Sequence, residues 1–141
     1  MKKLFLFVSA VALTVSLNSC SSDSDGGGSM SMKVNGTKKT FKTIAYNSGS
    51  VNSVYGYIGN IDTPTESIDF DLATGTGDKV INFEYSSDGS NTYIDGAFTS
   101  DVTTNSTSSV KGTFSGTLVK IGGGTDLTIT EGTFSAKVVS E

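Results

Sequence analysis

The chain has 141 residues and a formal net charge of −4, and it contains no histidine, no tryptophan and no arginine. Without an imidazole it cannot build a Ser-His-Asp or Cys-His catalytic device, and a single cysteine provides no ligand set for tetrahedral zinc. The acidic balance repels phosphate backbones and argues against a nucleic-acid partner. We therefore predict a non-enzymatic protein that needs no cofactor.

Residues 1–19 have the three parts of a secretory signal peptide. Lys2 and Lys3 precede an apolar stretch from Leu4 to Leu17, which is too short to span a bilayer and ends in small or polar residues. The chain's one cysteine, Cys20, follows directly. This pattern resembles the bacterial lipobox, although Asn18 departs from it, and the alternative is a secreted protein without an anchor.

The lipobox resemblance implies that Cys20 becomes the first residue of the mature protein and carries acyl chains such as palmitate. Each buried methylene contributes about 0.8 kcal/mol, so two or three acyl chains anchor a protein firmly. Cleavage leaves 141 − 19 = 122 residues, and the loss of Lys2 and Lys3 changes the net charge from −4 to −6. Membrane attachment through this lipid is therefore the first predicted interaction.

Residues 20–29 are predicted to be a flexible tether, because serine, aspartate and glycine cannot bury enough apolar surface to fold. The run from Ser21 to Asp25 resembles the acidic tract that directs lipoproteins to the outer face of the outer membrane in Bacteroidota. We predict an outer-membrane lipoprotein exposed on the cell surface. The alternative is a location on the periplasmic face.

Residues 30–141 are predicted to form a single all-β domain. Segments rich in Val, Ile, Thr, Phe and Tyr alternate with turn signals, and none of them keeps helical spacing. The pattern predicts an antiparallel up-and-down meander of about eight strands, closed into a small calycin-like barrel, with a two-layer β-sandwich as the alternative. The predicted turns are Asn35-Gly36, Asn47–Ser50, Asp62–Thr65, Thr74–Asp78, Ser86–Asn91, Thr103–Ser108 and Gly122–Asp126.

Alternation along the segments predicts which side chains face the core. Ile68, Phe70 and Leu72 share one face of a strand, and the aspartates between them share the other. In the last segment the apolar residues change register, which predicts a β-bulge near Gly132. We expect a packed interior formed by Phe41, Phe70, Phe83, Phe98, Phe114 and Phe134 with Leu72, Ile81 and Leu118.

One short phrase occurs three times, as Gly96-Ala97-Phe98-Thr99, Gly112-Thr113-Phe114-Ser115 and Gly132-Thr133-Phe134-Ser135. A glycine two residues before a phenylalanine lies on the same strand face and leaves room for a neighbouring ring. We interpret the phrase as a core motif that sets strand register; the alternative is a repeated ligand contact. Together with Val34-Asn35-Gly36 and Phe41, the last two copies resemble a family of small Bacteroidota lipoproteins of unknown function, which implies fold and cellular address but no activity.

Tyr55 and Tyr57 are the candidate ligand-binding residues, because they share a strand face and their rings with hydroxyl tips suit a sugar or a protein partner. The alternative is that both rings cover the core. The leading hypothesis is thus a surface module that binds a protein or a glycan. A lipocalin-like carrier of a small apolar ligand inside the barrel is the second hypothesis.

Acidic residues give a third hypothesis. A glycan hydrolase needs two carboxyl groups across a sugar cleft, and Asp69 and Asp71 stand two residues apart on one strand. Further carboxyl groups lie elsewhere, at Glu66, Glu84, Asp88 and Asp95. Asp69, Asp71 and Asp88 are also weak candidates for calcium ligands, although the spaced ligands of an EF-hand loop are missing. A solvent-facing Asp-x-Asp is ordinary on a half-exposed strand, so we predict neither a catalytic site nor a metal site.

Overall fold

The computed structural model describes residues 27–140, which form an eight-stranded antiparallel barrel. Each strand pairs with the next in chain order, and β8 pairs with β1 to close the barrel. The predicted all-β meander and its closure into a barrel, rather than a sandwich, are confirmed. The strands are β1 (Gly28–Val34), β2 (Thr37–Asn47), β3 (Asn52–Gly59), β4 (Pro64–Leu72), β5 (Val80–Ser87), β6 (Asn91–Asn105), β7 (Ser109–Lys120) and β8 (Leu127–Ser140).

The predicted signal peptide and Cys20 lie outside the described residues, as does most of the predicted tether. Strand β1 begins at Gly28, two residues before the predicted start of the domain. Residues 27–140 include no helix of the length and hydropathy that crossing a bilayer would require.

All seven predicted turns fall between strands or at their ends. The clearest is the two-residue connection between β1 and β2, where Asn35 and Gly36 have φ angles of 47° and 85°. Both residues tolerate positive φ, and such a turn matches the twist of the strands it joins. Local turn chemistry therefore sets the strand boundaries.

The barrel closes in an unusual way near Gly28. Strand β1 lies between β2 and β8 and starts at Gly28. Past this end of β1, strands β2 and β8 pair directly with each other in parallel, from Ala45 opposite Val138 to Asn47 opposite Ser140. A Cβ atom on Gly28 would lie 2.5 Å from the Thr43 carbonyl oxygen. Glycine is thus required where the wall closes, and the chain preceding it meets solvent at the exposed Gly27.

Aromatic rings fill the middle of the barrel. The ring of Phe70 lies 5.5 Å from that of Phe83, 6.1 Å from that of Phe114 and 5.1 Å from that of Phe134, measured between centroids. All four side chains are buried. Ring pairs at these separations add to the hydrophobic gain of burial, so the expected packed core is confirmed.

The assignment of Ile81 to the core was wrong, because this side chain is 41% exposed. Asp69 pairs with Glu84, yet Asp71 pairs with Ile81, so one residue of β4, Phe70, stands opposite two residues of β5, Asn82 and Phe83. This bulge centres on Asn82, whose φ is 54°. One extra residue reverses the facing of every side chain before it, and Val80 packs against the core in place of Ile81.

Three glycines and three phenylalanines oppose one another across strands β6, β7 and β8. Phe114 lies opposite Gly132, while Gly112 lies opposite Phe134. Likewise Phe98 lies opposite Gly116. A Cβ on Gly132 would lie 2.5 Å from a ring carbon of Phe114, and one on Gly112 would lie 2.8 Å from a ring carbon of Phe134, so these two glycines accommodate the ring of the neighbouring strand. A Cβ on Gly116 would instead meet the backbone of Ala97 and Phe98.

The core interpretation of the repeated phrase is therefore confirmed for its second and third copies. In the first copy, Gly96 does not face a ring. It lies in a β6 bulge, where a Cβ would meet the Thr117 carbonyl oxygen and the Val119 side chain, both at 3.0 Å. The phrase thus repeats in sequence more closely than it does in structure.

The predicted bulge near Gly132 is also confirmed. Phe114 and Gly116 are two residues apart on β7, whereas their partners on β8, Gly132 and Ile129, are three apart. Glu131 occupies the extra position with a φ of 52°. The insertion lets Ile129 and Phe134 both face the interior, where both are buried.

Polar side chains close the two ends of the barrel. At one end the Asn52 amide donates to the Asn105 side chain at 2.7 Å and accepts from Asn47 at 3.0 Å. At the other end the Glu66 carboxylate binds Lys39 at 2.6 Å and accepts the Tyr85 hydroxyl at 2.5 Å. Every buried side-chain polar atom in residues 27–140 has a hydrogen-bond partner, so neither end leaves an unsatisfied group.

Candidate functional site

The outer face of strands β2 to β5 carries a groove of about 400 Å³. We call it the β2–β5 groove. Its side chains come from outward-facing positions on four consecutive strands, the first of which continues into the loop before β3. The lining residues are Tyr46, Ser48, Ser53, Tyr55, Asp69, Asp71, Asn82 and Glu84.

Tyr55 and Tyr57 share the outward face of β3, where Tyr55 is partly exposed and Tyr57 is buried. They occupy alternate positions on β3, and their rings stack with centroids 5.9 Å apart and planes 21° from parallel. Tyr55 lines the groove, whereas Tyr57 is only 8% exposed and lies outside the lining. The second ring therefore supports the first, and Tyr55 is the one placed to meet a ligand.

Three carboxyl groups converge beside these rings. Asp69 lies directly opposite Glu84 in the β4–β5 ladder, and Asp71 follows on the same face of β4. The Asp71 carboxylate accepts hydrogen bonds from the Ser53 hydroxyl at 2.6 Å and from the Asn82 amide at 3.0 Å. Like charges directly opposite each other destabilise a sheet, and no lysine lines this groove in the described chain to offset them.

This arrangement changes the acidity of two groups in the groove. Partial burial raises the pKa of the Asp69 carboxyl, and the charges of Asp71 and Glu84 raise it further. Burial also raises the pKa of the Tyr46 hydroxyl, assisted by the negative charge of Asp69. The groove thus presents a phenol that stays protonated as a donor beside carboxylates that accept.

The calcium candidates do not come together. Asp69 and Asp71 share the groove, but Asp88 lies in the turn between β5 and β6 with a φ of 57°. In residues 27–140 there is no cluster of three or more His, Cys, Asp or Glu side chains arranged to hold a metal ion. Of the two aspartates in the groove, Asp71 accepts side-chain hydrogen bonds, from Ser53 and Asn82.

Sequence reasoning did not group Ser53, Asn82 or Glu84 with the tyrosines. The period-2 alternation of β3 and β4 is a signal for Ser53, which shares the outer face with Tyr55. Asn82 had no such signal, because its position depends on the bulge in β5. Pairing of β4 with β5 then places Glu84 beside Asp69.

A second outer surface, on β6 to β8, is less suited to recognition. It carries two depressions of about 380 and 390 Å³ that share Thr113 and Thr133. Phe114 and Phe134 contribute to the lining, but both side chains are buried in the core. This surface offers hydroxyl groups without an exposed aromatic ring, so the β2–β5 groove is the stronger candidate site.

Comparison with known proteins gives no match to any protein-family model, curated protein or solved structure. The site is therefore interpreted from its own geometry.

Proposed function

We propose that this protein is a lipid-anchored, non-enzymatic module that binds a glycan through the β2–β5 groove. The observation that carries the proposal is the partly exposed Tyr55 ring, which stacks on the buried Tyr57 ring and lines one groove with three carboxyl groups. Ligand sites combine apolar or aromatic surface with a few placed polar groups. This groove has both components on four neighbouring strands.

The groups present match the chemistry of a sugar. The apolar face of a pyranose ring packs on an aromatic ring such as Tyr55, and its hydroxyl groups donate to carboxylates such as Asp69 and Glu84. The Tyr46 hydroxyl can donate in return. An anionic glycan would be repelled by the same carboxylates, so we propose a glycan without acidic groups.

The filled interior supports surface binding over a carrier function. A carrier needs an internal cavity of several hundred Å³, whereas Phe70, Phe83, Phe114 and Phe134 pack ring against ring in the middle of the barrel. A protein partner is the other occupant of the groove that the sequence predicts. We favour a glycan because a concave groove with acceptors fits hydroxyl donors.

Hydrolysis is the weaker use of the same groove. Asp69 and Glu84 are directly opposed neighbours on one sheet face, so both carboxyl groups meet a ligand from the same side. A glycosidase places its two carboxyl groups on either side of the scissile bond. Carboxylates on the same side of a sugar favour its binding over its cleavage.

Glycan arrays with the purified protein test the groove. We expect binding to neutral oligosaccharides, and Tyr55→Ala is expected to weaken it about tenfold or more because the stacking surface is lost. Tyr55→Phe keeps the ring and is expected to retain most of the affinity. Thr113→Ala, on the opposite outer surface, is the matched control and should bind like the wild type.

Two results would count against this function. An array without any bound glycan would remove the proposal, and equal binding by Tyr55→Ala and the wild type would place the ligand elsewhere on the surface. Analysis of the bound oligosaccharide for shorter products distinguishes binding from hydrolysis.

The anchor is proposed from the lipobox resemblance around Cys20. Labelled palmitate should enter the wild-type protein in growing cells, and Cys20→Ala should abolish the label and move the protein from the membrane pellet to the soluble fraction. Protease added to intact cells should digest the domain if it faces the outside. A mutant that stays in the pellet with the wild type would refute the lipid anchor.

A further inference from the structure

The barrel wall is paired along only part of the boundary between β5 and β6. The ladder runs from Ser87 opposite Asn91 to Glu84 opposite Ile94 and ends there. Residues 80–83 of β5 and residues 95–99 of β6 face each other without ladder pairing in the described barrel. We call this part of the wall the β5–β6 seam.

Exposure of Asp95 shows that the seam is open to solvent. Asp95 pairs directly with Leu118 on β7, so the two residues lie on the same, inward face of the sheet. Leu118 is fully buried, yet Asp95 is exposed, as are the next two residues, Gly96 and Ala97. A residue in the inward register meets water only where the neighbouring strand does not cover it.

Side-chain hydrogen bonds and one backbone bridge hold the far end of the seam. In the bridge, the Gly77 amide donates to the Val102 carbonyl at 2.9 Å and the Val102 amide donates to the Gly77 carbonyl at 2.7 Å. The Asp78 carboxylate accepts the Ser100 amide at 2.9 Å and the Ser100 hydroxyl at 2.6 Å. The Ser100 hydroxyl oxygen accepts in turn from the backbone amides of Lys79 and Val80, each at 3.1 Å. This cluster, which we call the Asp78–Ser100 staple, joins β6 to the start of β5 without a regular ladder.

Phe98 covers the core behind the seam. Among the phenylalanines of residues 27–140 it alone is not fully buried. Its ring lies 4.8 Å from that of Phe83, on a bulged segment that pairs with β7 alone. Movement of this segment would uncover Phe83 while β7 and β8 keep their mutual pairing.

We propose that the β5–β6 seam is a lateral opening of the barrel, which the Asp78–Ser100 staple holds shut together with the Gly77–Val102 bridge. Regions that open locally have few backbone hydrogen bonds and partly exposed segments, and both features coincide here. Opening separates β5 from β6, breaks the staple and exposes the aromatic core to solvent. The remaining strand pairs keep the rest of the barrel intact.

Residue-resolved amide hydrogen exchange on the full chain tests this proposal. The amides of Val80 and Ser100 both donate across the seam to side-chain oxygens, so their exchange reports breakage of the staple. We expect them to exchange at least about tenfold faster than amides of the β7–β8 ladder. Asp78→Ala should accelerate hydrogen exchange at the Val80 amide about tenfold more, although the acceptor of that amide, the Ser100 hydroxyl, is still present.

Thr113→Ala serves as the control and should leave exchange at the seam unchanged. If Val80 and Ser100 exchange at the same rate as the β7–β8 ladder, the seam does not open separately and the proposal fails. The proposal also fails if Asp78→Ala accelerates hydrogen exchange equally in all strands, because that pattern reports global unfolding. Acceleration confined to the seam supports it.

Discussion

Replacement of Gly132 by alanine is expected to lower the free energy of unfolding by about 3 kcal/mol, because added volume in a packed core forces side chains and backbone apart. The new Cβ would lie 2.5 Å from both a ring carbon and the carbonyl oxygen of Phe114. The ring has no room to move away, since it also packs against Phe83 at 5.2 Å between centroids. Urea unfolding monitored by circular dichroism measures the loss.

Coupling to the opposing ring makes this prediction specific. Phe114→Leu removes part of the ring that the alanine would meet, so the double variant should lose less stability than the sum of the two single variants. Thr113→Ala, which changes an outward-facing neighbour, should alter stability by less than about 0.5 kcal/mol. If the stability losses of the two core substitutions were strictly additive, contact between the new Cβ and the Phe114 ring would not be the cause of the loss in Gly132→Ala.

Replacement of Glu66 by alanine is expected to lower the free energy of unfolding by about 2 kcal/mol, because removal of one partner leaves a partly buried charge without its counterion. Glu66 and Lys39 face inward at one barrel end, where their side chains are 17% and 25% exposed. The Tyr85 hydroxyl would lose its acceptor in the same variant. Burial, aided by the bond to Glu66, holds the pKa of Tyr85 well above its usual range, so the hydroxyl remains a donor that needs a partner.

The barrel contains a matched exposed ion pair for comparison. Lys33 and Glu131 are 2.7 Å apart, close to the 2.6 Å of Lys39 and Glu66, but their side chains are 36% and 68% exposed. Exposed ion pairs contribute little to stability, so Lys33→Ala should lower the free energy of unfolding by less than about 0.5 kcal/mol. Equal losses in Glu66→Ala and Lys33→Ala would contradict the role assigned to burial.

The proposed glycan site and the proposed seam both involve the bulged strand β5. The bulge at Asn82 turns its amide toward Asp71 in the groove and leaves Ile81 exposed. The same stretch, residues 80–83, borders the seam. Glycan binding would be measured at the outer face and opening by exchange at the strand boundary, so each proposal can fail without the other.

Much of the barrel follows from the sequence alone, because the relevant signals are local. Asn35-Gly36 encodes its turn through the conformational freedom of two residues. Ile68, Phe70 and Leu72 encode the inner face of β4 through period-2 alternation. The register change in the last segment even located the bulge near Gly132.

Tertiary structure decided the features that depend on a partner strand. The outward facing of Ile81 follows from the β5 bulge, which is defined only by the register of β4. Tyr55, Asp71 and Glu84 meet in one groove because strand pairing brings distant residues of the chain side by side. Side-chain facing propagates through register, and one inserted residue reverses it, so these positions could be known only once the strands were paired.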